Sequence, residues 1–95
     1  MAAYVIAEIR INDPDQYEEY RLKVPATLEK YGGRYLVRGG EARLLEGDGQ
    51  PTRLAVLEFE SAERALEWYG SEDYRPLLAI RQAAAESRLV LVKGV

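Results

Sequence analysis

The chain has 95 residues, which suffices for a single domain over residues 1–95, and its 13 Lys and Arg residues are outnumbered by 16 Asp and Glu residues. The resulting net charge of −3 argues against nucleic acid and anionic membrane surfaces as partners, and no apolar run approaches the ~20 residues that cross a bilayer. The chain lacks cysteine and histidine, which removes disulfides, thiolate nucleophiles and the commonest metal and haem ligands, so we expect no metal and no cofactor.

The first two predicted elements are a strand and a long helix. Residues 3–11, AYVIAEIRI, are rich in β-branched residues and too short for a typical helix, which favours a strand. Asp13 can cap a helix whose first position is Pro14. Pro25 should kink this helix or restart it, and Gly32-Gly33 should end it. Its apolar stripe, at three- and four-residue steps, consists of Tyr17, Tyr20, Val24, Leu28 and Tyr31.

A hairpin of two strands is predicted next. Strand two should cover residues 34 to about 45, with a bulge or bend at the glycine pair 39–40. Residues 46–51, EGDGQP, have the composition of a turn. Strand three should follow over residues 53 to 58 or 59, so that the two strands pair across this turn.

Two helical segments and a last strand complete the chain. Ser61 caps the first segment, and Gly70 and Ser71 end it. A further helical segment follows, although Pro76 leaves its start uncertain, and residues 88–93, RLVLVK, form strand four. The order βαββαβ predicts an α+β ferredoxin-like plait, in which a four-stranded antiparallel sheet carries both helical regions on one face.

Both faces of the predicted sheet carry aliphatic side chains, whereas a sheet with one wet face should alternate apolar and polar residues. The helices can cover only one face, and an open apolar face would be a large exposed patch on a monomer. The simplest cover is the same face of a second copy about a two-fold axis, so we expect a homodimer. One face should hold Val5, Ala7, Ile9, Ala55 and Leu57, and the other Tyr4, Ile6, Leu54, Val56, Val90 and Val92.

Charged residues are also expected on the second of these faces. Glu8, Arg10 and Glu58 belong there, and simple alternation adds Arg34 and Arg38. One interpretation is a network of ion pairs that sets the register of the dimer. The other is that Arg38, with a nearby carboxylate, lines a pocket for an anionic or carbonyl ligand. We favour the dimer for Arg34 and leave both interpretations open for Arg38.

Three stretches of the chain resemble one protein family. They are YGGRYLVRGGE at 31–41, PTRLAVLEF at 51–59 and SAERALEWYGSEDYRPLLAIR at 61–81, and the resemblance extends to the terminal LVLVKGV. Together they identify the chain as similar to domain-of-unknown-function family 1330, a family of small bacterial proteins in the dimeric α+β barrel superfamily. The resemblance implies a barrel-like dimer in which sheet packs on sheet, and it implies no particular activity. The residues that match the family motifs are Tyr35, Arg38, Gly39, Gly40, Trp68, Tyr69, Ser71, Tyr74 and Arg81.

The wider superfamily includes cofactor-independent monooxygenases, muconolactone isomerases and haem enzymes. The absence of histidine excludes the haem branch for this chain. The aromatic residues of the two helical regions should converge on the sheet, either as ordinary core or as the wall of a pocket for a planar ligand. The predicted ligand-binding residues are Tyr20, Tyr35, Arg38, Trp68, Tyr74 and Arg81.

Three functions are compatible with these residues. The first is a homodimeric small-molecule-binding protein for a small aromatic or anionic ligand. The second is a cofactor-independent oxygenase or isomerase acting on an aromatic or lactone-like substrate, for which Glu8, Glu41 and Glu58 are available carboxylates without a spacing that singles one out. The third is a structural or interaction module without a ligand. The N-terminus continues directly into a charged strand and does not resemble a signal peptide, so the expected location is cytoplasmic.

Overall fold

A computed structural model describes all 95 residues of the sequence. Four strands form one antiparallel sheet in the order β2-β3-β1-β4, and three helices pack on one of its faces. The α+β class and the ferredoxin-like order predicted from the sequence are confirmed. None of the three helices is both long and apolar enough to cross a membrane. The elements are β1 (Ala3–Ile11), α1 (Pro14–Lys30), β2 (Arg34–Gly40), β3 (Arg53–Phe59), α2 (Ala62–Tyr69), α3 (Arg75–Ala84) and β4 (Ala85–Lys93).

The predicted helix ends are confirmed by their capping contacts. The Asp13 carboxylate accepts a hydrogen bond from the Gln16 amide at the start of α1, at 3.2 Å. At the other end, Gly32 has a φ of 75°, and the Gly33 amide donates to the carbonyl of Leu28 over 2.8 Å. A residue with a side chain rarely adopts that φ, which explains the glycine at position 32.

Two strands differ in their bounds from the sequence prediction, and of the two effects expected of Pro25 one, a restart of the helix, does not occur. Strand β2 ends at Gly40 rather than near residue 45, because Gly40 pairs with Leu54, next to the first residue of β3, and later residues have no strand to pair with. Strand β4 begins at Ala85, three residues before the predicted start, because it pairs with β1 as far as Ile11. Helix α1 continues through Pro25 without a restart.

The core lies between the helices and one face of the sheet. Trp68 and Tyr74 are fully buried, with ring centroids 4.1 Å apart, and Phe59 lies 5.5 Å from Trp68 on the sheet side. The indole Nε1 of Trp68 donates to Thr27 Oγ1 at 3.0 Å, so α2 is tied to α1 as well as to the sheet. This aromatic cluster holds the three helices in the positions from which they supply the cavity described below.

The opposite face of the sheet has no helix over it. Ile6, Val37, Val90 and Val92 are 38–43% exposed there. The same face carries two ion pairs within the chain, Arg34 with Glu58 at 2.7 Å and Arg88 with Glu8 at 3.4 Å. It is therefore an apolar surface whose charges are largely paired.

A bulge in β2 corrects the predicted position of Arg38. Tyr35 pairs with Leu57 and Val37 with Val56, so Leu36 is an extra residue that has no partner on β3. The extra residue reverses the alternation beyond it. Arg38 therefore lies opposite Ala55, on the helix-covered face, whereas Arg34 lies opposite Glu58 on the bare face. The expectation that both arginines share a face is wrong.

Candidate functional site

A small cavity opens between α1, α3 and the helix-covered face of the sheet. Its volume is about 20 Å³, which is room for about one water molecule. The floor is provided by Ala7 and Ala55, whose small side chains leave space above the central strands. The polar lining consists entirely of arginines and tyrosines: Arg21, Arg38, Arg53, Arg81, Tyr17, Tyr20 and Tyr35.

Arg81 is the most unusual residue of the lining, because its side chain is buried without a carboxylate. The residue is 3% exposed. Its Nε donates to the Tyr74 hydroxyl at 3.3 Å, and its Nη1 donates to Ser87 Oγ. A buried guanidinium loses several kcal/mol of hydration, which neutral partners restore only in part. Arg81 thus places an uncompensated positive charge beside the cavity.

The Tyr74 hydroxyl connects Arg81 to Tyr20, whose hydroxyl lies 2.7 Å from it. An arginine can only donate, so the Tyr74 oxygen accepts from Arg81. Tyr74 is fully buried, and its own proton has Tyr20 as its available acceptor. The hydrogen bonds therefore run from Arg81 to Tyr74 to Tyr20, and the Tyr20 hydroxyl keeps a proton to donate at the cavity.

The cavity tyrosines are held in their neutral form. Burial raises the pKa of Tyr35 to about 12, although Arg38 opposes the rise. Burial, followed by the neighbouring Tyr74, raises the pKa of Tyr20 far above its ordinary value. Burial also raises the pKa of Tyr17, against the opposing effect of Arg53. At neutral pH these hydroxyls are hydrogen-bond donors rather than bases.

Two further arginines lie at the mouth of the cavity. The guanidinium of Arg38 stacks over the Tyr35 ring at 4.6 Å, and that of Arg53 lies 6.0 Å from the Tyr17 ring centroid. Gly39, in the left-handed conformation with a φ of 68°, lies against the Arg53 guanidinium, where a side chain would collide with it. The glycine therefore provides the space that Arg53 occupies.

Arg38 is fixed across the mouth by an acceptor that Pro25 creates. Its Nη2 donates to the backbone carbonyl of Arg21 in α1. In a regular helix this carbonyl would accept from the amide four residues later, but that residue is Pro25, which has no N–H. The proline thus leaves an acceptor that holds Arg38 against the helix.

The charges of the cavity are unbalanced. Five arginines of the chain form no ion pair with a carboxylate, and three of these five, Arg38, Arg53 and Arg81, line this cavity. Arg21 also lines it and is paired with Glu18 at 2.6 Å. No carboxylate belongs to the lining, although the chain as a whole is acidic. The arrangement is suited to a negatively charged group.

Five of the six predicted ligand-binding residues line the cavity: Tyr20, Tyr35, Arg38, Trp68 and Arg81. Tyr74 does not line it and lies behind Tyr20 as a hydrogen-bonding partner. The sequence prediction missed three polar lining residues, Tyr17, Arg21 and Arg53. Arg53 has the same parity in β3 as the buried Ala55 and Leu57, which was an available signal for its position on the covered face. The three candidate carboxylates Glu8, Glu41 and Glu58 are absent from the lining.

Comparison with known proteins gives a family and a fold. The family model for DUF1330, a domain of unknown function, matches residues 2–95. No curated protein matches the chain. Among solved structures, a protein of unknown function from Rhodopseudomonas palustris, RPA0582, has a TM-score of 0.81 and 21% identity over 99% of this chain and 82% of that one.

Two other solved structures share the fold at lower identity. A dimeric ferredoxin-like protein of unknown function from Jannaschia sp. CCS1 has a TM-score of 0.75 and 11% identity, covering 99% of this chain and 100% of that chain. A mutant form of SnoaB, a cofactor-independent oxygenase from Streptomyces nogalater, has a TM-score of 0.73 and 14% identity, covering 98% of this chain and 92% of that chain. At these identities the likeness extends to the fold alone.

Proposed function

The chain belongs to the DUF1330 family, and we propose that it is a homodimeric protein that binds a small anionic molecule in the arginine-lined cavity. The observation that carries the proposal is the buried Arg81, which has hydrogen bonds but no counter-ion. A carboxylate or enolate would supply that counter-ion and accept a proton from the Tyr20 hydroxyl in a hydrogen bond. The tyrosine rings and Trp68 around it suit a planar or aromatic body.

Ligand entry requires the mouth of the cavity to widen, because the present volume of about 20 Å³ accommodates only a water. The side chains that restrict it are Arg38 and Arg53. Each is held there by contacts that are weak compared with an ion pair to a ligand, namely cation–π contacts and, for Arg38, one hydrogen bond. Arg38 is also exposed to solvent. Rotation of these two side chains toward an anion would open the cavity and pair them at once.

The reason for proposing a homodimer is the bare face of the sheet, which no helix covers. Four aliphatic side chains are exposed there, and two ion pairs within the chain neutralise most of its charge, so a second copy could cover the face with little cost for burying charges. The similar fold of a dimeric protein from Jannaschia supports a dimer. A cytoplasmic location, and the absence of nucleic-acid and membrane partners, stay predictions from the sequence.

A second candidate function is cofactor-independent oxygenation of a small aromatic substrate. The observation that favours it is the series of donors from Arg81 through Tyr74 to Tyr20, which could stabilise a substrate oxyanion. SnoaB, which shares the fold, is a cofactor-independent oxygenase. An isomerase is less favoured, because the lining contains no carboxylate or histidine that could accept a proton. The module without a ligand is also less favoured, since it gives the uncompensated arginines no role.

The proposal is tested by thermal shift with benzoate and its neutral isostere benzamide, on the wild type and two variants. Arg38→Gln removes a cavity charge, and Arg43→Gln removes an equal charge from an exposed arginine outside the cavity. We expect benzoate, but not benzamide, to raise the melting temperature, and Arg38→Gln to reduce the shift while Arg43→Gln leaves it unchanged. Equal shifts with the two compounds, or none, would contradict an anion site. Oxygen uptake with quinols, measured alongside, tests the second candidate.

A further inference from the structure

Two separate positive groups flank the cavity, one at each side of its floor. Arg81 is attached to β4 through its hydrogen bond to Ser87. Ser87 pairs with Ile9 of β1, and Ile9 pairs in turn with Arg53 of β3, so the three residues form one row across the sheet on the covered face. Neighbouring strands are about 4.8 Å apart, which separates Ser87 and Arg53 by roughly 10 Å along this row.

The space between the two positive groups is shallow and lined by aromatic rings. The adjacent row of the sheet presents Ala7 and Ala55, both buried, as its central members. Tyr17 also lines the cavity, and both arginines act on it: burial raises the pKa of its hydroxyl, and Arg53 and Arg81 each oppose that rise. Once the mouth has widened, a flat apolar body could lie over the alanines, with one end toward each arginine.

From this arrangement we propose that the natural ligand carries two acidic groups, one at each end of a planar apolar body. Arg81 and the Tyr20 hydroxyl bind the first group, and Arg53, assisted by Arg38, binds the second. The inference rests on the proposed anion site and adds the substrate class, namely planar dicarboxylates or molecules with a comparable pair of acidic groups. Arg53 is accordingly a specificity-determining residue.

The number of unpaired arginines favours a dianion over a monoanion. Three cavity arginines have no carboxylate partner in the chain. A ligand with one acidic group would neutralise the arginine on one side of the cavity and leave the other side positive. This state is unfavourable, because several positive charges would remain close together without compensation. A ligand with acidic groups at both ends would pair with the arginines on both sides. The planar guanidinium of arginine is well suited to this, because it can bind a carboxylate through two parallel hydrogen bonds.

The experiment compares terephthalate with its monomethyl ester, which has the same ring and nearly the same length but one charge less. Affinities are measured by isothermal titration calorimetry for the wild type, Arg53→Gln and Arg43→Gln. If the second carboxylate forms a charge-assisted hydrogen bond with Arg53, the wild type should bind terephthalate about tenfold or more tightly than the ester. Arg53→Gln should abolish this preference, whereas Arg43→Gln, outside the cavity, should retain it.

The outcomes separate the inference from the proposed function. If wild type binds the ester and terephthalate equally well, the cavity takes a single acidic group, and the inference fails while the anion site stands. If the preference survives in Arg53→Gln, the second acidic group binds elsewhere, and the inference also fails. If neither compound nor benzoate binds to wild type, the anion site fails together with the inference. Because the first comparison uses only wild-type protein, it does not depend on how well the variants fold.

Discussion

The hydroxyl groups of Tyr20 and Tyr74 lie 2.7 Å apart in the protein interior, although the residues are 54 positions apart in the sequence. Tyr20 comes from α1, and Tyr74 immediately precedes α3, which also carries Arg81. The hydrogen bonds from Arg81 through Tyr74 to Tyr20 therefore join the two helices that form one wall of the cavity. This arrangement makes the hydroxyl groups unequal, because only that of Tyr74 has two partners.

The first prediction concerns that inequality. Tyr74→Phe leaves both the Tyr20 hydroxyl and Arg81 Nε without a partner, whereas Tyr20→Phe leaves Tyr74 still bonded to Arg81. We expect Tyr74→Phe to lower the free energy of unfolding by about 1–3 kcal/mol and Tyr20→Phe to lower it by less. Urea denaturation measures both, with Tyr69→Phe as a control because its hydroxyl has no partner within the chain. A larger effect of Tyr20→Phe would contradict the inequality of the two hydroxyl groups, in which only Tyr74 has two partners.

The second prediction concerns the link between Pro25 and Arg38. In the wild type, Arg38→Gln should cost about 1 kcal/mol of stability, because it removes the donor to the Arg21 carbonyl. Pro25→Ala supplies the missing amide, which can take over that carbonyl within the helix. In the Pro25→Ala background, Arg38→Gln should therefore cost less, because only its contact with the Tyr35 ring is lost. A double-mutant cycle measures the coupling, and equal costs in both backgrounds would show that Pro25 has no part in holding Arg38.

The third prediction is a loss of stability at alkaline pH. Burial raises the pKa of Tyr35 to about 12 and that of Tyr20 further, so the folded protein retains protons that the unfolded chain releases above about pH 10. Stability is fully present below about pH 10 and falls as the pH rises through the folded pKa values. Denaturation midpoints between about pH 8 and 11 measure the fall. Tyr20→Phe should make it shallower, and Tyr69→Phe serves as the exposed control; identical slopes in wild type and Tyr20→Phe would refute the assignment to Tyr20.

The fourth prediction tests the dimer. Val90 lies on the bare face of the sheet and is 41% exposed. Val90→Glu would bury a charge without a partner in the proposed interface, so we expect the variant to be monomeric where the wild type is dimeric. Sedimentation equilibrium measures the mass. Leu22→Glu is the matched control, since Leu22 is 65% exposed on α1, away from the sheet, and should leave the dimer intact. A monomeric wild type at micromolar concentration would remove the proposed dimer.

Local features of the sequence predicted the fold because they act over a few residues. Asp13, Ser61 and the glycine pair at the end of α1 all have the predicted capping roles. The alternation in β1 and β3 correctly separated the covered face from the bare one. The length of β2 was wrong, because a strand extends only as far as its neighbour does, and that is a property of two segments rather than of one.

A smaller part of the candidate site than of the fold could be predicted from the sequence, because the site depends more on tertiary structure. The sequence predicted five of the lining residues, three in the helical regions and two in β2. Alternation nevertheless assigned Arg38 to the wrong face, because one extra residue at Leu36 reverses the pleat beyond it. A bulge is determined by pairing with the partner strand, which composition does not reveal.

The sequence by itself determined the βαββαβ order, the two apolar sheet faces and the absence of histidine and cysteine chemistry, since each follows from residue types and short-range spacing. The tertiary structure alone decided which arginines lack a counter-ion. Whether Arg81 has a carboxylate beside it depends on where distant segments come to lie, and the folded chain surrounds it with Tyr74 and Ser87 instead. Charge compensation acts through space, so no local pattern in the chain could have revealed it.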